Sequence, residues 1–164
     1  MNILARARWP EAGDRDVPQV PGFVLSSFNP LVAAVADRCL RRHFGEPPAP
    51  AGVAERTAMI VVSGSGDAVS AEHVARTVDV GARVGPLFFF QSVPNSIAGH
   101  VAARWGLAGP VVCLSPTGDP MAEGLAEASL LIEDGDADQA LVVLVEQSDV
   151  DESSAVLVGE GTNS

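Results

Sequence analysis

Lysine and tyrosine are absent from the 164 residues, so all ten basic side chains are arginine. Those absences exclude a Schiff-base lysine, a phosphate-loop lysine and a catalytic tyrosine. Two cysteines, Cys39 and Cys113, are too few and too widely separated for a disulfide framework or a zinc knuckle. Their apolar surroundings mark both as small core residues. No apolar run approaches the roughly 20 residues of a membrane span, the longest being Ala140 to Val145. The first twelve residues lack the apolar stretch of a signal peptide, so a cytoplasmic protein is expected. Arginine is missing from residues 105–164, which hold 12 acids, whereas residues 1–104 hold 10 arginines and 9 acids. A segment without cations cannot neutralise phosphates, and nucleic acid is not an expected partner.

What is present is a well-filled globular composition, 47% hydrophobic with a mean hydropathy of +0.23. A weak strand at Asn2–Arg8 precedes a Pro/Gly-rich loop. A helix is expected from Asn29 and Pro30, with Leu31, Val32, Val35, Ala36, Cys39 and Leu40 as its apolar stripe. Ala58–Val62, Pro110–Ser115 and Gln139–Val145 read as buried strands, and Ala155–Gly159 as an antiparallel return strand. Helices fill the gaps: Ser70–Val80 with Val74 and Val78 inward, one opened by Pro94 and stopped at Gly106, and one capped by Asp119 and ended at Gly135. Strands spaced by helices imply an α/β fold with helices on both faces of a mostly parallel sheet. Residues 11–29 and 46–57 are expected to be loop or linker within a single domain spanning 1–164.

The motifs offer little chemistry by themselves. Gly64-Ser65-Gly66 stands between strand and helix, but Val69 occupies the place of a third glycine, so an ordinary turn is the better reading. Asp134, Asp136 and Asp138 lack the pattern of a calcium loop, and the three histidines have no metal-ligand spacing, so no metal or cofactor is expected. Ser115-Pro116-Thr117-Gly118-Asp119 joins a strand end to a helix start, where open α/β sheets bind ligands. No base for a nucleophile lies within that segment.

The run Phe88-Phe89-Phe90-Gln91-Ser92-Val93-Pro94-Asn95-Ser96-Ile97-Ala98-Gly99-His100-Val101-Ala102 resembles the β-ketoacyl synthases. So do Trp105-Gly106-Leu107-Ala108-Gly109-Pro110 and the Gly135–Asp138 turn before a strand. The resemblance, strongest over residues 58–146, implies one half of the thiolase fold. That half is a five-stranded mixed sheet in the order 3-2-1-4-5, with Asn2–Arg8 in the middle. It also implies that the condensing cysteine is missing, because Gly118 stands where that nucleophile belongs and the family's catalytic histidines lie in the other half. Ser115, Thr117, Gly118, Asp119 and His100 are then candidate pocket residues, without an assigned catalytic role. Val111, Val112, Cys113 and Leu114 are the candidate dimer edge. Arg38, Arg41, Arg42, Arg76 and Arg83 are candidates for docking an acidic acyl carrier protein. The implied function is a non-catalytic, ketosynthase-like partner in polyketide or fatty-acid assembly, as a homodimer or bound to a true ketosynthase. An enzyme of other chemistry on a carrier-bound chain (isomerase, dehydratase or hydrolase) and an acyl-chain or carrier-binding module are the alternatives.

Overall fold

Continuous apolar runs flanked by turn residues become the centre of the sheet. A computed structural model describes residues 1–86 and 93–160. Its strands are β1 (Asn2–Trp9), β2 (Thr57–Val62), β3 (Val111–Leu114), β4 (Gln139–Glu146) and β5 (Glu152–Gly159). Its helices are α1 (Phe28–Phe44), α2 (Ala51–Ala54), α3 (Ala68–Asp79), α4 (Pro94–Trp105) and α5 (Pro120–Glu133). The Phe88–Ser92 part of the resemblance lies outside the described residues.

The sheet is mixed and five-stranded, in the order β1-β5-β4-β2-β3. β2 pairs in parallel with β3 and β4, and β5 runs antiparallel to both β4 and β1. The fold class is the expected one, but the strand order is not. β1 lies at an edge, and β4 is the central strand. Arg6 and Arg8 alternate with buried Ala7 and Trp9 along β1. An outer strand tolerates such a charged face, whereas a middle strand covered on both sides does not.

Side-chain alternation splits the core in two. Met59, Val61, Leu141, Val143, Ala155 and Leu157 face α1 and α4. Ala58, Ile60, Val62, Ala140, Val142 and Val156 face α5. On α1 the stripe from Leu31 to Leu40 is fully buried as its spacing predicts. The helix begins at Phe28, one residue before Asn29, with the Ser26 hydroxyl accepting the Phe28 amide at 3.2 Å.

Other boundaries also shift. Asp67 caps α3 by accepting the Ser70 amide at 3.0 Å, so that helix starts before Ser70. Val78 is 60% exposed rather than inward, and Val74 is half-buried. The 46–57 segment contains the short α2 and the first residue of β2. Cys39 is buried, but Cys113 is exposed on the outer strand β3, so it is not a core residue.

The Trp105–Pro110 motif has a packing reason. Gly106 ends α4 in the left-handed region at φ 73°, where a side chain is disfavoured. Gly109 then presses its Cα onto the start of β2 and donates its amide to the Thr57 carbonyl at 3.2 Å.

Candidate functional site at the strand ends

Parallel strands deliver their C-terminal ends to one side of a sheet, and the loops there are the natural place for a ligand. β2 ends in Ser63-Gly64-Ser65-Gly66, β3 in Ser115–Asp119 and β4 in Glu146. A cleft of about 330 Å³ opens between them, lined by Ser63–Gly66, Ser115, Cys113, Phe28 and Pro94. Both loops have their amides engaged by acids of the same chain. The Glu146 carboxylate accepts the Gly64 amide at 3.0 Å. Glu123, on the first turns of α5, accepts the Gly118 amide at 2.5 Å and the Thr117 amide at 3.1 Å, and lies 3.3 Å from the Thr117 hydroxyl. Asp119 is spent as a helix cap, taking the Ala122 amide at 2.7 Å.

The five candidate pocket residues therefore separate. Ser115 lines the strand-end cleft, while Thr117, Gly118 and Asp119 close onto α5. His100 is elsewhere, packed edge-to-face on Phe23 at 5.9 Å and lining clefts beside α4. Glu123 and Glu146 were not visible as site residues, because their partners are backbone amides with no residue signature. The Asp136–Asp138 turn is bridged by an arginine: Arg56 donates to Asp138 at 2.9 Å and to the Gly135 carbonyl at 2.7 Å.

Cys113 donates its thiol to Asn95 Oδ1 at 3.0 Å, and partial burial raises its pKa above the usual 9.0. A raised pKa lowers the thiolate fraction and works against nucleophilic use. On β3 the carbonyls of Pro110 and Leu114 accept amides of Met59 and Ser63. In a parallel ladder such bonds recur at alternate residues, so the Val111 and Cys113 backbone groups point to the free edge.

The opposite edge is covered. Arg38 and Arg42 reach from α1 to the carbonyls of Arg8 and Arg6 on β1, each at 2.7 Å. Arg38 also grips Asp14 through two bonds of 2.8 Å, and Arg42 meets Glu11 at 2.7 Å. These guanidiniums hold the Asp14 and Glu11 carboxyls below the ordinary range. Arg41 pairs with Asp37 and Glu46, and Arg76 with Glu72 along α3. Arg83 is exposed in the segment after α3. Arg38, Arg41 and Arg42 thus share one patch but are charge-balanced by neighbours, and Arg76 and Arg83 lie on other segments.

The profile described as beta-ketoacyl synthase, N-terminal domain, matches residues 25–152. The chain belongs to this family. No curated protein matches it. Among solved structures it is similar to a chain of a ketosynthase in complex with its chain length factor from Xenorhabdus doucetiae. There the TM-score is 0.74 at 20% identity, over 99% of this chain and 79% of that one. The ishigamide ketosynthase/chain length factor gives 0.75 at 17% identity, over 93% of this chain and 49% of the other. A β-ketoacyl synthase from Burkholderia phymatum gives 0.71 at 14% identity, over 92% and 46%. At these identities the likeness is one of fold, and in the last two cases the chain spans about half of its neighbour's length. The β-ketoacyl synthase domain seen here is thus the N-terminal thiolase-like unit, with β5 antiparallel and β1 outermost.

Proposed function

We propose that this chain is a non-condensing, chain-length-factor-like partner of a ketosynthase in polyketide or fatty-acid-type assembly. The observation that supports it most is Glu123 seated on the Thr117 and Gly118 amides. In the condensing enzymes that this sequence resembles, this turn carries the acyl-accepting cysteine. Here the residue at that place has no side chain. A carboxylate fills the amide donors that an oxyanion would need. A Cβ built on Gly118 would lie 3.2 Å from the Glu123 oxygen, so the turn is already fitted around that acid.

A partner role needs a surface, and β3 supplies one. Among the described residues no strand pairs with its outer edge, whereas arginines cover β1. Uncovered edges recruit another strand. Two of the similar structures are named for a ketosynthase together with a chain length factor, and the chain matched in the first is itself short enough for this one to span 79% of it.

The test is to purify the tagged chain from its native host, identify any stoichiometric partner, and label the complex with a radiolabelled acyl thioester. The expected result is a ketosynthase at equal stoichiometry that carries the label while this chain carries none. Label on this chain, or a partner-free assembly that condenses substrates, would overturn the proposal.

A further inference from the structure

A cleft with about twice the volume of the one at the strand ends lies elsewhere among the described residues. It encloses about 700 Å³ between α1, α4 and the Pro18–Pro21 loop, and shares no lining residue with the strand-end cleft. That volume is in the range of small-molecule sites, which are mostly apolar with a few convergent polar groups. Its apolar wall is made by Trp9, Val20, Ala33, Ala34, Val101 and Trp105. Four guanidiniums, of Arg38, Arg41, Arg42 and Arg104, line it against the single carboxylate of Asp37. Among its lining residues arginine thus outnumbers acid, although the chain's net charge is −11.

Most of that positive charge is balanced from outside the cleft by Glu11, Asp14 and Glu46. Arg104 differs. Its Nε donates to Asp37 at 2.9 Å, and its two terminal nitrogens meet no acceptor among the described residues. The side chain is 46% exposed, so the fork is accessible. Asp37 fixes it from behind, and takes the Trp105 indole N–H on the same oxygen at 3.1 Å. A guanidinium held at Nε presents two parallel N–H groups, the geometry that fits a planar carboxylate.

We infer that this cleft binds a small amphipathic carboxylate, with its head on the Arg104 fork and its apolar tail along Val20, Val101 and the tryptophans. This goes beyond the partner role and does not depend on it, since no residue of the strand-end loops or of β3 takes part.

The chain carries its own reporter. Its only two tryptophans, Trp9 and Trp105, both line the cleft, so a ¹H–¹⁵N spectrum shows just two indole N–H peaks and both belong to the site. The experiment titrates the whole chain with octanoate, octanol and inorganic phosphate. Octanoate is expected to move both indole peaks saturably. Octanol should bind about tenfold more weakly for want of the charged head, and phosphate alone should leave the peaks in place. Arg104→Met should bring octanoate down to the affinity of octanol, and Ala34→Phe, which fills the cleft, should abolish both. Absence of a saturable shift with octanoate would overturn the inference, as would octanol or phosphate matching it, or R104M binding octanoate as the unaltered chain does. The ligand comparison on the unaltered chain decides the matter even where a variant fails to fold.

Discussion

Gly109 sits directly on the Thr57 carbonyl: a Cβ at that glycine would lie 2.5 Å from the oxygen and 2.8 Å from the Ala58 amide nitrogen. The obstacle is backbone of a central, fully buried strand, which cannot move aside without breaking its ladder. Gly124 makes a similar approach from α5, but there the Cβ would meet Val142 Cγ1 at 2.6 Å and Val62 Cγ2 at 2.9 Å, which are side chains. Gly109→Ala is therefore expected to destabilise by about 3 kcal/mol. Gly124→Ala is expected to cost less, about 1–2 kcal/mol, because alanine returns roughly 1 kcal/mol of helix propensity. Urea unfolding of the two variants measures the difference, and equal losses would refute this account of the motif.

Asp37 ties α1 to α4 by accepting from Arg41 at 2.6 Å, Arg104 at 2.9 Å and the Trp105 indole. Partial burial pushes its pKa up, but the two arginines outweigh burial and hold it below 3.8. A carboxyl depressed by folding contributes stability above its unfolded pKa and loses it as pH falls through the folded value. The ion pairs of Asp37 should thus support the fold at neutral pH and fail in acid below about pH 4. Asp37→Asn is expected to lower Tm at pH 7 and to narrow the gap from the unaltered chain as the pH drops into that window. Parallel Tm-against-pH curves would contradict it.

The parts of the fold that were legible in the sequence were those set by local pattern. Runs such as Ala58–Val62 and Gln139–Val145 are continuous because both faces of those strands are covered, and Asp119-Pro120 signals a helix start wherever the chain goes next. The position of β1 was not legible. The resemblance put it in the middle, and its true place at an edge depends on β5 folding back between β4 and β1. The site was half legible. That the resemblance sets Gly118 where the family's cysteine belongs was visible, but the seating of Glu123 on the turn was not, since an acid on the first turns of α5 also suits an ordinary helix start. The Asp37 cluster joins residues 67 and 68 positions apart, a distance that only the tertiary fold closes.

The two cysteines should react very differently. Burial pushes the Cys39 thiol to about 11 and removes it from solvent, whereas Cys113 is exposed on β3 and only partly covered. A disulfide reagent at pH 8 is expected to modify one thiol per native chain, at Cys113, more slowly than a free cysteine because that thiol too is raised. The second should appear only on denaturation. Modification of both in the folded chain, or of Cys39 first by peptide mapping, would show that α1 opens far more readily than its packing implies.

The β3 edge yields the sharpest contrast between neighbouring residues. Val112 bonds its backbone to β2, while Val111 directs its amide and carbonyl outward. Proline removes a donor without needing a new side-chain contact. Val111→Pro is expected to leave Tm within a degree or two of the unaltered chain and to weaken association with the proposed ketosynthase partner by about tenfold or more, through lost ladder bonds. Val112→Pro should instead break the β2–β3 ladder and destabilise the chain by about 3 kcal/mol whether or not a partner is present. Thermal melts and analytical ultracentrifugation of both variants with the purified partner make the comparison. Association untouched by V111P would remove β3 as the paired edge and send the search for the interface to the exposed valines of α3.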